Sequence, residues 1–111
     1  MNKEFFKIDC KINLLDILKI LEISKDDLVF EKDNFSISIE KIYIEDFVSF
    51  ENLEKNKLSF FTNLKSDFKN VSCGICIAER ENFKFLHKNI IKIPFNSPKK
   101  GFSKLLKIFF D

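Results

Sequence analysis

Glycine and histidine are scarce in this sequence, and their scarcity excludes several kinds of site. Only two glycines, Gly74 and Gly101, occur among 111 residues, so neither a Walker A phosphate loop nor a G-x-G-x-x-G dinucleotide fingerprint is present. The single histidine, His87, excludes zinc sites built on paired histidines and would leave a Ser-His-Asp hydrolase dependent on one residue. Because His87 lies in a polar stretch just before an apolar one, we interpret it as a loop histidine. We expect neither a cofactor nor a metal.

The charge pattern and the hydrophobic content limit the class of protein. The net charge is +2 and the lysines are interleaved with acidic residues, so we expect no nucleic-acid partner. No apolar run approaches the roughly 20 residues of a membrane-spanning helix, and residues 1–10 contain no apolar signal segment. We therefore expect a cytoplasmic protein that is at most peripheral to a membrane. With 45% hydrophobic and 32% charged residues, the chain is predicted to form one domain over residues 1–111.

Three cysteines are present, and two of them form a C-x-x-C pattern. Cys73 and Cys76 could be a thioredoxin-like redox pair, which needs a helix beginning at the first cysteine to lower its pKa. The residues from Val71 to Ala78 instead form a mostly apolar run that predicts a buried strand. Positions three apart in a strand point to opposite faces, so we favour structural cysteines. Cys10 stands alone before the first predicted helix, and we interpret it as a free thiol.

The hydrophobic pattern predicts alternating strands and helices. Asn13, with Asp16 three residues later, indicates a helix start, and leucines at helical spacing continue the helix to about Ile23. The other predicted elements are one or two strands over 35–44, strands over 58–61, 71–78 and 89–93, a short helix over 64–70, and a final helix after Pro98. Such alternation favours parallel pairing with right-handed crossovers. We therefore predict an α/β fold, a mostly parallel sheet flanked by helices, which becomes mixed α+β if the 35–44 region pairs antiparallel.

A family resemblance is carried by the stretch Leu58-Ser59-Phe60-Phe61-Thr62-Asn63-Leu64-Lys65-Ser66. With Ile44, Val48 and Phe50 ahead of it, this stretch resembles the N-terminal domain of the UDP-3-O-acylglucosamine N-acyltransferases of lipid A (lipopolysaccharide) biosynthesis. That family has the pattern Ser-Phe-x-x-Asn-Pro-Lys-Tyr at this place. A strand with small residues, a second strand and a helix opened by proline follow in the same order, so the resemblance covers about residues 12–110.

The resemblance implies a domain that binds the uridine of a UDP-glucosamine derivative, with a fold also similar to N-terminal domains of UDP-peptide ligases. In the family, the motif phenylalanine stacks on uracil, the asparagine hydrogen-bonds its edge and the tyrosine closes the other face. Phe60, Asn63 and Lys65 match the motif, whereas Ser66 stands in place of the tyrosine and Lys99 in place of a second one. The uridine-binding candidates are Phe60, Asn63, Lys65 and Ser66. An aromatic face and an amide can together identify a pyrimidine.

Alternatives stay open for these residues and for the protein. Phe60 could be one more core residue among fifteen phenylalanines, and Asn63 could be the N-cap of the helix over 64–70. In the family, acyl transfer depends on a histidine of a trimeric hexapeptide β-helix where the acyl carrier protein docks, and this sequence has no hexapeptide repeat. We therefore expect either the substrate-binding module of such an enzyme, inactive alone, or a non-catalytic binding or interaction domain with an altered or lost ligand. Carrier-protein contact and a homotrimer are expected only through the β-helix.

Replacing Ser66 by tyrosine tests whether the motif has lost half of an aromatic sandwich. Ser66→Tyr should give uracil a second aromatic face, and because one base–aromatic stack is worth about 1–3 kcal/mol, UMP affinity should rise about fivefold to a hundredfold. Calorimetric titration of both proteins with UMP measures the change. A tyrosine variant that folds normally but gains no affinity would contradict the placement of the site at Ser66.

Overall fold

The computed structural model describes residues 7–31, 38–62 and 70–110. In this part of the chain no helix is both long enough and apolar enough to cross a membrane. Its strands and α-helices, in chain order, are β1 (Lys7–Asn13), α1 (Leu14–Leu21), β2 (Tyr43–Phe47), β3 (Lys57–Phe60), β4 (Gly74–Ala78), β5 (Ile90–Pro94) and α2 (Pro98–Phe110).

The five strands form one sheet in the order β1-β2-β3-β4-β5. Strands β2 to β5 are parallel, and β1 pairs antiparallel with β2. The predicted mostly parallel sheet with helices is therefore confirmed as a mixed α/β arrangement. Strand β1 is an addition to the predicted elements, although Ile8, Cys10 and Ile12 alternate there with charged residues.

The region predicted as one or two strands over 35–44 is different in the structure. Residues 32–37 lie outside the described residues, Ile39–Lys41 form a 3-10 turn, and the strand begins only at Tyr43. Ile42 N–H donates to the Ile39 carbonyl oxygen at 3.1 Å. Both isoleucines pack against the core. Two apolar residues three positions apart, which suit a 3-10 turn, therefore decide the local structure, and not the alternation of apolar and polar residues that predicted a strand. The helix predicted over 64–70 falls almost entirely on residues 63–69, outside the described residues.

Helices α1 and α2 cover one face of the sheet. Asn13 caps α1, since its Oδ1 accepts a hydrogen bond from Leu15 N–H at 2.8 Å, an arrangement worth about 1 kcal/mol. Each buried leucine or isoleucine in the layer below contributes about 1.5–3 kcal/mol. The core on this face includes Leu14, Ile17, Leu18 and Leu21 of α1, Leu58, Ile75, Ile77, Ile91 and Ile93 of the sheet, and Phe102 and Leu105 of α2.

The connecting segments cover the opposite face. A 3-10 turn over Phe50–Asn52 precedes β3, and a 3-10 helix over Arg80–Phe85 connects β4 to β5. Both contribute partly buried phenylalanines to a second apolar cluster. The buried members of that cluster are Leu53, Phe61, Val71, Cys76, Ala78, Leu86 and Ile90.

Val29, in the segment after α1, pairs with the outer edge of β5. Its N–H donates to the Lys92 carbonyl oxygen at 3.1 Å, and Lys92 N–H donates to the Val29 carbonyl oxygen at 2.9 Å. This antiparallel bridge fixes the chain after α1 to the sheet.

Gly74 opens β4 in a backbone conformation that other residues rarely adopt. Its φ is +119°, and a Cβ there would lie 2.5 Å from Leu53 Cγ and 2.7 Å from the backbone oxygen of Glu54. At Gly101 the φ is ordinary, and the atoms nearest to an added Cβ would be those of the Phe95 ring, at 2.9 Å, and of the Leu21 side chain, at 3.4 Å. A Cβ at Gly74 would overlap a main-chain oxygen as well as a side chain, whereas the nearest atoms at Gly101 are those of side chains.

Gly74→Ala should lower the free energy of unfolding by about 2–4 kcal/mol, because it adds backbone strain to an overlap with main-chain atoms. Gly101→Ala is the matched control, and its loss should be smaller because a ring can shift. Urea denaturation followed by circular dichroism measures both variants. Equal losses would contradict the strain assigned to Gly74.

Candidate functional site

Four parallel strands end at one edge of the sheet, here called the carboxyl edge. Strand β2 ends at Phe47, β3 at Phe60, β4 at Ala78 and β5 at Pro94. In doubly wound α/β sheets, ligands bind in the crevice outside the carboxyl ends of the strands, where the strand order reverses. The strand order does not reverse in this sheet, but the segments that follow its parallel strands leave from the same edge. The carboxyl edge is therefore where this fold is expected to hold a ligand.

Phe60 is half-buried at this edge and packs against α2. Its ring centroid lies 5.0 Å from that of Phe102, with the planes tilted by 46°. Phe102 lies 5.6 Å from Phe47, whose ring also contacts Phe109 and Phe110 at 6.2 and 5.2 Å. These five rings are here called the phenylalanine cluster, and Phe60 joins it through its contact with Phe102.

Of the four uridine-binding candidates, Phe60 is the one that the described part of the chain contains. Asn63, Lys65 and Ser66 belong to residues 63–69 and lie outside the described residues. The structure therefore places Phe60 among the rings of the phenylalanine cluster. The contacts that the resemblance implies for the other three candidates stay predictions.

A row of buried polar side chains crosses the face of the sheet that α1 and α2 do not cover. This row was not predicted from the sequence. Ser59 pairs with Cys76, and Cys76 pairs with Lys92, across adjacent strands. Their exposed fractions are 0, 0 and 5%. The sequence shows a polar residue inside each of these apolar strands. Only the register of the strands shows that the three side chains lie side by side.

The two titratable members of this row bond to the backbone. Lys92 Nζ donates to the carbonyl oxygens of His87 and Ile90 at 3.1 and 3.0 Å, and Cys76 Sγ donates to the Ile77 carbonyl oxygen at 3.6 Å. Burial lowers the pKa of Lys92 and raises the pKa of the Cys76 thiol far above its ordinary range. A thiol that stays protonated is a poor nucleophile. The row therefore serves packing and the turn before β5.

The two cysteines of the C-x-x-C pattern have different environments. Strand β4 begins at Gly74, so Cys73 lies just outside it and is half-buried, whereas Cys76 is fully buried within it. The strand predicted from residue 71 is thus too long at its start. Both cysteines are free thiols, and β4, a strand, follows Cys73 where a redox pair would have a helix. Cys10 lies in β1.

His87 lies in the turn before β5 and is exposed. Its Nδ1 accepts a hydrogen bond from Asn89 N–H at 3.0 Å, and its carbonyl oxygen accepts one from Lys92. Both contacts shape the turn, as expected of a loop histidine. Over residues 7–31, 38–62 and 70–110, no group of three or more histidine, cysteine or acidic side chains is arranged to hold a metal ion.

Comparison with known proteins adds no relative. No protein-family model, no curated protein and no solved structure matches the chain. The residues at the carboxyl edge, and the motif that includes Phe60, are therefore the features from which a function is inferred.

The difference in burial predicts a difference in thiol reactivity. In a Cys10→Ser background, iodoacetamide should alkylate Cys73 in the native protein but Cys76 only after unfolding, because Cys76 is fully buried. Mild oxidation should form no disulfide between Cys73 and Cys76. Mass spectrometry of labelled peptides, with and without urea, measures both effects. Rapid native labelling of Cys76, or a disulfide between the pair, would favour the redox interpretation.

Proposed function

We propose that this chain is the uridine-recognition module of a UDP-3-O-acylglucosamine N-acyltransferase and binds the uridine of the acceptor. The observation that carries the proposal is the position of Phe60. The motif phenylalanine is the last residue of β3, half-buried at the carboxyl edge of a mostly parallel sheet. Doubly wound α/β sheets bind ligands at the corresponding edge. Asn63 and Lys65 of the same motif follow it closely along the chain.

Phe60 suits a stacking role because its ring is supported. The contact with Phe102 at 5.0 Å restricts the ring, so in this proposal little side-chain freedom is lost when a base stacks on it. A base–aromatic stack contributes about 1–3 kcal/mol. In this proposal Asn63 supplies a donor and an acceptor to the edge of uracil, and Lys65 supplies a cation for the phosphates.

The proposed module binds the acceptor and does not transfer the acyl group. Acyl transfer to an amine needs a general base beside that amine, and His87 is engaged in the turn before β5. In the resembled family, the base, the acyl-carrier-protein site and the homotrimer contacts belong to the hexapeptide β-helix. We assign none of these roles to the residues of this domain.

A second candidate function is a non-catalytic binding or interaction domain of the same fold, with an altered or lost ligand. The packing of Phe60 on Phe102 favours it, because a ring in the phenylalanine cluster has a structural role whether or not a nucleotide binds. Ser66 and Lys99, which replace tyrosines of the family motif, favour it as well. Uridine binding separates the two candidates.

Phe60→Leu separates stacking from packing. Leucine keeps an apolar contact with Phe102 but has no aromatic face, so UMP affinity should fall about fivefold to a hundredfold while the fold is retained. NMR titration with UMP measures both the affinity and the place of binding. Phe85→Leu is the matched control, because Phe85 is 54% exposed and lies in the 3-10 helix Arg80–Phe85. This control should bind UMP as the unmodified protein does.

Two results would overturn the proposal. No chemical-shift change near Phe60 at millimolar UMP would reject the uridine module and favour the interaction domain. Equal UMP affinities for Phe60→Leu and Phe85→Leu would remove Phe60 as the stacking residue.

A further inference from the structure

A groove lies at the carboxyl edge beside β5, between the end of α1 and the start of α2. It consists of two adjoining hollows of about 440 and 470 Å³. Small-molecule sites typically measure about 300–1,000 Å³, so the groove has room for a small ligand. The two hollows share the lining residues Glu22, Ile23, Pro94, Phe95 and Asn96.

Two contacts fix the walls of this groove. Gly101 approaches Phe95 so closely that a Cβ would lie 2.9 Å from the ring. Lys104 Nζ donates to the Ile20 carbonyl oxygen, in the last turn of α1, at 3.1 Å. Helix α2 is thereby held against both the end of β5 and the end of α1. Between them, Leu21 and Phe95 give the groove an apolar floor.

Charge is distributed unevenly along the groove. Lys100 lies at the α2 end, and within the described part of the chain it has no ion-pair partner. Helix α2 has four lysines and no acidic residue. Glu22 lines both hollows, whereas Asp27, Glu79 and Glu81 line only the other end, where Arg80 already pairs with Asp27 at 3.7 Å. One end therefore attracts an anion and the other repels it.

We propose that this groove is a binding site for a small phosphorylated molecule with a hydroxyl-bearing body, such as a sugar phosphate. In this proposal Lys100 and the Ser97 hydroxyl bind the phosphate, and the carbon face of the sugar lies on Phe95. The amide oxygen of Asn96 and the carboxylate of Glu22 accept hydrogen bonds from the hydroxyl groups of the sugar. The carboxylates fix the orientation because they exclude the phosphate from their end.

The groove is distinct from the position of Phe60. Phe60 is not among the groove's lining residues, and β4 lies between β3, which carries Phe60, and β5. The proposal therefore does not depend on uridine binding.

The experiment is an NMR titration of the whole chain with glucose 6-phosphate, and with inorganic phosphate and glucose as separate arms. Shift changes should concentrate on residues 21–23 and 95–101, and glucose 6-phosphate should bind more tightly than either part alone. Lys100→Ala should weaken its binding about twofold to fivefold, the range of an exposed ion pair. Asn96→Ala should weaken binding of glucose 6-phosphate but not of inorganic phosphate.

Lys107→Ala is the matched control, because Lys107 is an exposed lysine of α2 outside the groove, and it should leave binding unchanged. Phe60→Leu should also leave it unchanged, which separates this site from the uridine proposal. Equal effects of Lys100→Ala and Lys107→Ala would overturn the proposal in favour of general charge attraction. Inorganic phosphate that binds as tightly as glucose 6-phosphate, or shift changes elsewhere, would overturn it as well.

Discussion

All five residues of β4, Gly74–Ala78, are buried, and the rest of the fold is arranged to cover this strand on both faces. A strand buried on both faces needs an apolar layer above it and another below. Helices α1 and α2 supply one layer, and the connecting segments with Leu53, Phe61 and Leu86 supply the other. Both layers extend to the carboxyl edge. The packing that covers β4 therefore also brings Phe60 and the start of α2 to the same edge.

Phe60 has a packing role at a position that is only partly buried. One side of the ring belongs to the phenylalanine cluster through Phe102, and the residue as a whole is only half-buried. A ring that is already ordered can offer a flat surface to a base without paying much conformational entropy. The same contact explains why composition alone could not separate a core phenylalanine from a stacking one. In the proposed function, only the neighbouring motif residues Asn63 and Lys65 set Phe60 apart from a core phenylalanine.

Local sequence patterns were enough to predict α1, β3, β5 and α2. In each of these elements the spacing of apolar residues fits one type of secondary structure. Turn or cap residues, such as Asn13 and Pro98, mark their ends. Where the spacing fits two periods, as at Ile39 and Ile42, tertiary contact decides. The groove could not be predicted, since its walls come from residues 21–23 and 94–101, which are distant in the sequence. The row that ends at Lys92 likewise depends on strand register.

The outer edge of β5 has no main-chain donor left for another polypeptide. Alternate residues of a strand direct their main-chain groups to the same side, and on the side away from β4 these residues are Ile90, Lys92 and Pro94. Ile90 N–H donates to the His87 carbonyl oxygen, Lys92 N–H donates to that of Val29, and proline has no N–H. A foreign strand therefore cannot extend the ladder at this edge. Two hydrogen bonds and one proline thus protect this edge against aggregation by edge-to-edge strand pairing, in a chain rich in isoleucine and phenylalanine.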